Sequence, residues 1–158
     1  MIHLNLKKIF FQFFIIVIIF SIDRISKIYI LNITGEVDVY INSFLSFFLV
    51  WNTGIGFGLF SFEQSTIYNF ITALIVIINL MIIYLIFKSK DSRAYFFLII
   101  LGGSLGNLFD RIYYSAVPDF IDLNYNGYHW FIFNVADIFI TFGIICLIFV
   151  ELLNYKKG

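Results

Sequence analysis

The sequence predicts an all-α membrane protein of four transmembrane helices, with a small extracytoplasmic β-sheet inserted between the first and second. Its 158 residues are 61% hydrophobic and 22% aromatic, whereas soluble chains are about 45–50% apolar. A transmembrane helix needs about 20 mostly apolar residues, and four segments reach or approach that length, at about 9–22, 67–87, 94–109 and 131–153. No Pro-, Gly- or Ser-rich linker and no internal repeat divides residues 1–158, so we predict a single domain.

The first segment has the features of a retained helix. Lys7 and Lys8 precede an apolar run that starts at Ile9, as in a secretory signal peptide, but no small-residue cleavage site follows the run. Asp23 and Lys27 come next. Their i, i+4 spacing in the acid-first order favours a structural ion pair at the end of the helix.

The segment at about 34–62 is predicted to be β-rich because Val39 and Ile41 alternate with Asp38 and Tyr40. Further along it, glycines occupy every second position from 54 to 58. Glycine weakens helix and strand and permits close approach of another backbone. This spacing fits a hairpin bend, and it also fits a loop that contacts an extended substrate backbone, which is the interpretation we favour.

The third segment carries polar residues at helical spacing. Asn107, Asp110 and Arg111 are related as i, i+3 and i+4, so they share one helix face. Gly102 and Gly106 form a small-xxx-small surface for close helix packing. Asp110 and Arg111 fit a charge pair that caps the helix at the membrane interface, and the planar donors of Arg111 also suit the binding of a carbonyl or carboxylate.

Two further acids lie beside the last apolar segments. Asp119 follows Pro118, the only proline, which restricts the backbone before it. Asp137 comes one helical turn after Asn134, whose amide can orient a carboxylate. Asp122 lacks such support, and we interpret it as a solvated loop acid.

Carboxylates near a bilayer core are costly, so a membrane protein that keeps several of them uses them. Two acids that lie close together share a proton and can divide the roles of general acid and general base. The string from Gly102 to Gly106 also matches G-x-S-x-G. That motif requires a strand–turn–helix, whereas here it lies in a helical segment, so Ser104 is not the expected nucleophile.

The charges predict the orientation in the membrane, because basic residues in short loops mark the cytoplasmic side. Seven basic residues lie at the two chain ends and between the second and third helices: Lys7, Lys8, Lys88, Lys90, Arg93, Lys156 and Lys157. Eight of the ten acids fall on the opposite side of the membrane from this group. Both termini are therefore expected in the cytoplasm, and every motif at the extracytoplasmic face.

Composition and spacing exclude other classes. The single Cys146 cannot form an intramolecular disulfide, and His3 and His129 do not form an H-E-x-x-H zinc site. A net charge of zero does not indicate nucleic-acid binding. The competing function is a four-helix transporter or channel subunit that uses intramembrane carboxylates, but it does not account for the Asn107–Arg111 string or the glycine-rich loop.

Taken together, these strings resemble the lipoprotein signal peptidases, the bacterial type II signal peptidases. Each piece alone is weak, but their joint occurrence in the family's order is highly specific. The matching pieces are Asp23…Ser26-Lys27, Asn52-x-Gly54, Gly102-Gly103-x-x-Gly106-Asn107-x-x-Asp110-Arg111, Val117-x-Asp119-Phe120-Ile121 and Phe133-Asn134-x-Ala136-Asp137.

The resemblance implies an aspartyl endopeptidase of the bacterial cytoplasmic membrane that needs no metal or other cofactor. Its partners would be membrane lipids and diacylglyceryl-modified prolipoproteins, which it would cut before the lipidated cysteine, and we expect a monomer. By the family's pattern Asp119 and Asp137 form the catalytic pair. Substrate-binding positions would be Asn52, Gly54, Asn107, Arg111 and Asn134, with polar support from Asp23, Lys27 and Asp110.

The resemblance also assigns two outer segments. The β-rich insertion would cradle the substrate, and the segment at about 113–130 would be a lid-like loop. The chain departs from the family at Gly56, where alanine is usual, and at Phe131, where proline is frequent. Both departures concern local loop conformation rather than the catalytic pair.

Overall fold

The computed structural model describes residues 6–33, 38–54, 65–89, 91–125 and 128–155. It contains four helices that are long and apolar enough to cross a membrane, as predicted. They are α1 (Leu6–Ile33), α2 (Ser65–Lys88), α3 (Arg93–Tyr114) and α4 (Val135–Tyr155). Large apolar side chains cover much of their outer surface, which is the arrangement expected for helices surrounded by lipid rather than water.

Helix α3 occupies the centre and packs against the other three helices. Glycines allow this close packing. A Cβ atom at Gly102 would lie 2.8 Å from the Cβ of Ile19 on α1, and one at Gly103 would lie 2.7 Å from the carbonyl oxygen of Ala136 on α4. A Cβ atom at Gly106 would meet the carboxylate of Asp23 on α1, so the predicted Gly102–Gly106 surface is confirmed against α1, while Gly103 allows the close packing of α4.

A four-stranded antiparallel sheet lies at the end of the helices where α3 finishes and α4 begins. It consists of β1 (Val39–Asn42), β2 (Leu45–Asn52), β3 (Val117–Tyr125) and β4 (Tyr128–Phe133), in that spatial order. The insertion between α1 and α2 thus supplies only half of the sheet. The other half comes from the segment between α3 and α4, which adds strands to an otherwise all-α fold.

The segment at about 113–130 was predicted to be a lid-like loop, and the structure corrects this. It holds the end of α3, all of β3 and the start of β4. The chain leaves α3 through Ser115, which adopts a left-handed conformation with φ of 56° and so ends the helix. It then pairs with β2 along most of the length of β3, from Asn52 opposite Val117 to Leu45 opposite Leu123.

Candidate active site

Asp119 and Asp137 lie on different elements that meet at one cavity. Asp119 is in β3, and Asp137 is in the first turn of α4. Both line a cavity of about 310 Å³, together with Asn52, Ile75, Ser104, Asn107, Arg111, Val117, Asn134, Ile140, Thr141 and Ile144. Four of the five predicted substrate-binding residues therefore surround the two acids.

Asn134 connects the two carboxylates. It precedes α4, and its side-chain Oδ1 accepts a hydrogen bond from the backbone N–H of Asp137 at 3.1 Å, as an N-cap residue does. Its own backbone N–H donates to Oδ2 of Asp137 at 3.1 Å, and its side-chain Nδ2 donates to Oδ1 of Asp119 at 2.6 Å. The sequence predicted an amide that orients Asp137, and the structure shows one that contacts both acids.

Asp119 is nearly inaccessible to solvent, with 2% of its surface exposed. Its Oδ2 accepts a hydrogen bond from Nδ2 of Asn52 at 2.8 Å. Burial, and after it the charge of Asp137, raise the pKa of Asp119 to about 6, although the hydrogen bonds from Asn52 and Asn134 oppose the rise. Asp119 therefore exchanges its proton in the range where a general acid or base works at near-neutral pH.

Asp137 is held through a chain of buried polar groups that leads to α1. Nδ2 of Asn107 donates to Oδ1 of Asp137 at 2.8 Å, and Oδ1 of Asn107 accepts from Nζ of Lys27 at 2.8 Å. Lys27 is fully buried and also forms ion pairs with Asp23 at 2.8 Å and with Asp110 at 2.6 Å. Since the Lys27 ammonium can only donate, it fixes which end of the Asn107 amide faces Asp137.

The predicted Asp23–Lys27 ion pair is confirmed, and Asp23 has a second contact. Its Oδ1 accepts a hydrogen bond from the backbone N–H of Ala136, next to Asp137, at 2.9 Å. Sequence reasoning did not single out Arg24, which pairs with Asp110 and lies over the ring of Phe109, 4.6 Å from its centroid. The sequence feature that could have indicated Arg24 was its charge inside a mostly apolar helix.

Asp110 and Arg111 do not pair with each other, so the interpretation as a capping charge pair is wrong. Arg111 is 4% exposed and donates through Nη2 to the carbonyl oxygen of Gly54. Its Nη1 is buried and has no hydrogen-bond partner among the described residues. The Gly54 N–H in turn donates to Oδ1 of Asn52 at 2.9 Å. Gly56 and Gly58, the other glycines of the predicted substrate loop, lie outside the described residues.

The interpretation of Asp122 as a solvated loop acid is wrong. Asp122 lies within β3 and has no exposed surface. Its Oδ2 accepts hydrogen bonds from Ser46 at 2.8 Å and Asn124 at 3.2 Å and contacts Nδ1 of His129 at 2.8 Å. Burial alone would raise the pKa of Asp122, but these three contacts outweigh it and hold the pKa below its usual value.

Two other chemistries find no support at this site. Within the described parts of the chain, no group of three or more His, Cys, Asp or Glu side chains could hold a metal ion. Ser104 lines the cavity but lies in the middle of helix α3. A G-x-S-x-G nucleophile instead requires a strand–turn–helix.

Comparison with known proteins identifies the family. Residues 15–153 match the family described as signal peptidase (SPase) II. The chain is 53% identical to the lipoprotein signal peptidase of Pelagibacter ubique (strain HTCC1062), over 98% of this chain and 95% of that protein. It is 36% identical to the lipoprotein signal peptidase of Anaplasma marginale (strain Florida), over 90% of this chain and 85% of that protein.

A solved bacterial membrane enzyme has a similar structure. Its TM-score is 0.77 at 28% identity, and the match covers 93% of this chain and 90% of the other. Sequence and fold agree over nearly the whole length of both molecules. The chain belongs to the signal peptidase II family.

Proposed function

We propose that this protein is an aspartic endopeptidase that removes the signal peptide from diacylglyceryl-modified prolipoproteins, cutting before the lipidated cysteine. The observation that carries the proposal is the joint contact of Asp119 and Asp137 with Asn134 inside one cavity. Membership of the signal peptidase II family supports the peptidase activity. No relative named above is a transporter or channel subunit, so the alternative function gains no support.

The two carboxylates divide the proton transfers. The ionised one removes a proton from water as the water oxygen attacks the scissile carbonyl, and the protonated one donates toward the carbonyl oxygen or the leaving amine. Asn52 and Asn134 hold Asp119, while Asn107 holds Asp137. These amides keep both acids oriented, so little rearrangement is needed when the substrate reacts.

Other cavity residues are suited to binding the substrate. Arg111 keeps a buried guanidinium nitrogen without a partner in the described structure, and such a donor suits a peptide carbonyl. Ile75, Ile140 and Ile144 give the cavity an apolar wall on the helical side, where acyl chains can pack. We also propose that the enzyme works as a monomer.

The lipid requirement tests this function. Acyl chains that enter the protein leave lipid rather than water, so their contribution is mainly to position the peptide and less to raise affinity. We expect a purified enzyme in detergent with EDTA to cut a diacylglyceryl lipopeptide and to cut the unlipidated peptide far more slowly, even at saturating concentration. Equal maximal rates for the two substrates would refute the proposed specificity.

The orientation in the inner membrane follows from the charge distribution, with both termini in the cytoplasm and the active site outside. After replacement of Cys146, a cysteine introduced at Ser89 or Tyr155 should be protected from an impermeant thiol reagent in intact cells. A cysteine at Asp38 should be labelled. Labelling at Ser89 with protection at Asp38 would reverse the orientation.

The pKa of Asp119 depends on the charge of Asp137. Asp119 should lose its proton as the pH rises through about 6. In Asp137→Asn the repulsion from Asp137 is absent, so the pKa of Asp119 should fall below 6 but stay above the ordinary value, because burial remains. Infrared titration of isotope-labelled aspartate, with Asp119→Asn as the reference, measures the shift. An unchanged pKa would show that the two acids do not interact.

A further inference from the structure

The cluster around Asp122 is a buried polar site outside the catalytic cavity. Ser46 from β2, Asn124 from β3 and His129 from β4 all contact Oδ2 of Asp122. Because the pKa of Asp122 is lowered, the carboxylate is ionised at neutral pH and can only accept, so Nδ1 of His129 is the donor. One carboxylate therefore ties together three adjacent strands.

The cluster lies where the backbone pairing of the sheet is irregular. The β2–β3 register shifts between Phe47 and Val50, and the β3–β4 register shifts between Leu123 and Asn124. At such bulges the ladder of backbone hydrogen bonds is locally disrupted. Asp122 sits between the two irregularities, so its side-chain contacts fix a register that the backbone alone specifies weakly.

Strands β3 and β4 position residues of the proposed catalytic site. Asp119 precedes Asp122 by three residues in β3, and side chains alternate along a strand, so the two acids project from opposite faces of the sheet. Asn134 directly follows β4. A slip of one residue in either strand would turn Asp119 to the wrong face or move Asn134 away from it.

We propose that Asp122 is a positioning residue for the catalytic pair, which it serves by holding β2, β3 and β4 in the register that joins Asp119 to Asn52 and Asn134. This proposal rests on the proposed function only in taking Asp119 and Asp137 as the catalytic residues. Asp122 acts through its contacts with Ser46 and His129. Within the described part of the chain, Asp122 itself makes no hydrogen bond to Asp119 or Asp137.

The pKa of Asp119 reports whether that residue has moved. Burial and the charge of Asp137 raise this pKa, and hydrogen bonds from Asn52 and Asn134 lower it, so a changed register should shift it away from about 6. Loss of the negative charge of Asp122 without any movement would lower it, and Ser46→Ala and His129→Ala avoid that effect because both keep Asp122. The charged groups near Asp119, namely Asp137, Lys27 and Arg111, are unchanged in every variant used.

The experiment compares Asp122→Ala with Asp91→Ala in the full-length protein. Asp91 is a matched control because it is half-exposed and pairs with Arg93 between α2 and α3. For Asp122→Ala we expect kcat to fall roughly 10- to 100-fold, since misplacement of about 1 Å can cost 100-fold. We also expect a smaller change in KM and a shifted pKa of Asp119 by infrared titration. Asp91→Ala should change none of these.

An unchanged pKa of Asp119 in Asp122→Ala would overturn the proposal. Ser46→Ala and His129→Ala each remove one donor and keep the buried acid, so they also serve if Asp122→Ala fails to fold. Each should lower kcat several-fold and shift the pKa of Asp119, and normal values for both variants would overturn the proposal by leaving only an effect of charge. The titration needs no turnover, so it remains informative even if Asp119→Asn retains activity and the proposed function fails.

Discussion

Replacement of either catalytic acid by asparagine should abolish cleavage of a lipidated substrate while leaving a folded membrane protein. Asparagine keeps the shape of the side chain but cannot transfer the proton. General acid–base catalysis contributes roughly 100- to 10,000-fold to a rate. The kcat of Asp119→Asn and that of Asp137→Asn should therefore each fall by at least about 100-fold. KM should change little, because neither substitution removes the groups proposed to bind the peptide.

Ser104→Ala is the matched control for this pair of variants, because Ser104 lines the same cavity but takes no part in the proposed chemistry. It should retain most of the activity. The measurement is steady-state cleavage of a lipopeptide by each purified variant, with helix content checked by circular dichroism. Appreciable turnover by Asp119→Asn or Asp137→Asn would disprove the dyad, and a large loss in Ser104→Ala would revive a serine nucleophile.

Lys27→Met should destabilise the protein more than any substitution on its surface. The variant leaves Asp23 and Asp110 buried with one cation, Arg24, in place of two. Removal of one partner from a buried ion pair costs about 3–5 kcal/mol. The free energy of unfolding in detergent should fall by that amount. The surviving folded fraction should also have reduced kcat, since Asn107 loses the contact that orients its amide toward Asp137.

Lys88→Met removes the same type of charge from an exposed position at the end of α2 and should change the free energy of unfolding by less than about 1 kcal/mol. Adding Asp110→Asn to Lys27→Met should recover part of the loss, because one unpaired charge is removed. Equal stability of Lys27→Met and Lys88→Met would contradict the role assigned to the buried network.

The helices were predictable because four apolar runs reach or approach the length of a membrane span. Their ends were less predictable. Helix α1 was expected to end near Asp23 and Lys27 but continues to Ile33. Hydropathy treats Asp23, Arg24 and Lys27 as residues that end an apolar run, whereas their polar partners on α1 itself, α3 and α4 allow the helix to continue.

The polar residues that line the cavity with Asp119 and Asp137 were predictable residue by residue, because they occur in short strings with fixed spacing. Asp122 was not, since its partner Ser46 is 76 residues away in sequence. Nothing near Asp122 in the chain shows that β2 will lie beside it. The lid-like loop was mistaken for the same reason, because strand pairing is a long-range property.

The buried ions of α1 have a consequence for the order in which the protein is assembled. Lys27 pairs with Asp23 in its own helix, but Arg24 pairs with Asp110, which is synthesised 86 residues later. At about 5–20 residues per second of synthesis, this delay is roughly 4 to 17 seconds. Until then the C-terminal part of α1 carries an uncompensated guanidinium, which favours a position at the lipid–water boundary over one in the hydrocarbon. The first helix made is thus completed only when the third arrives.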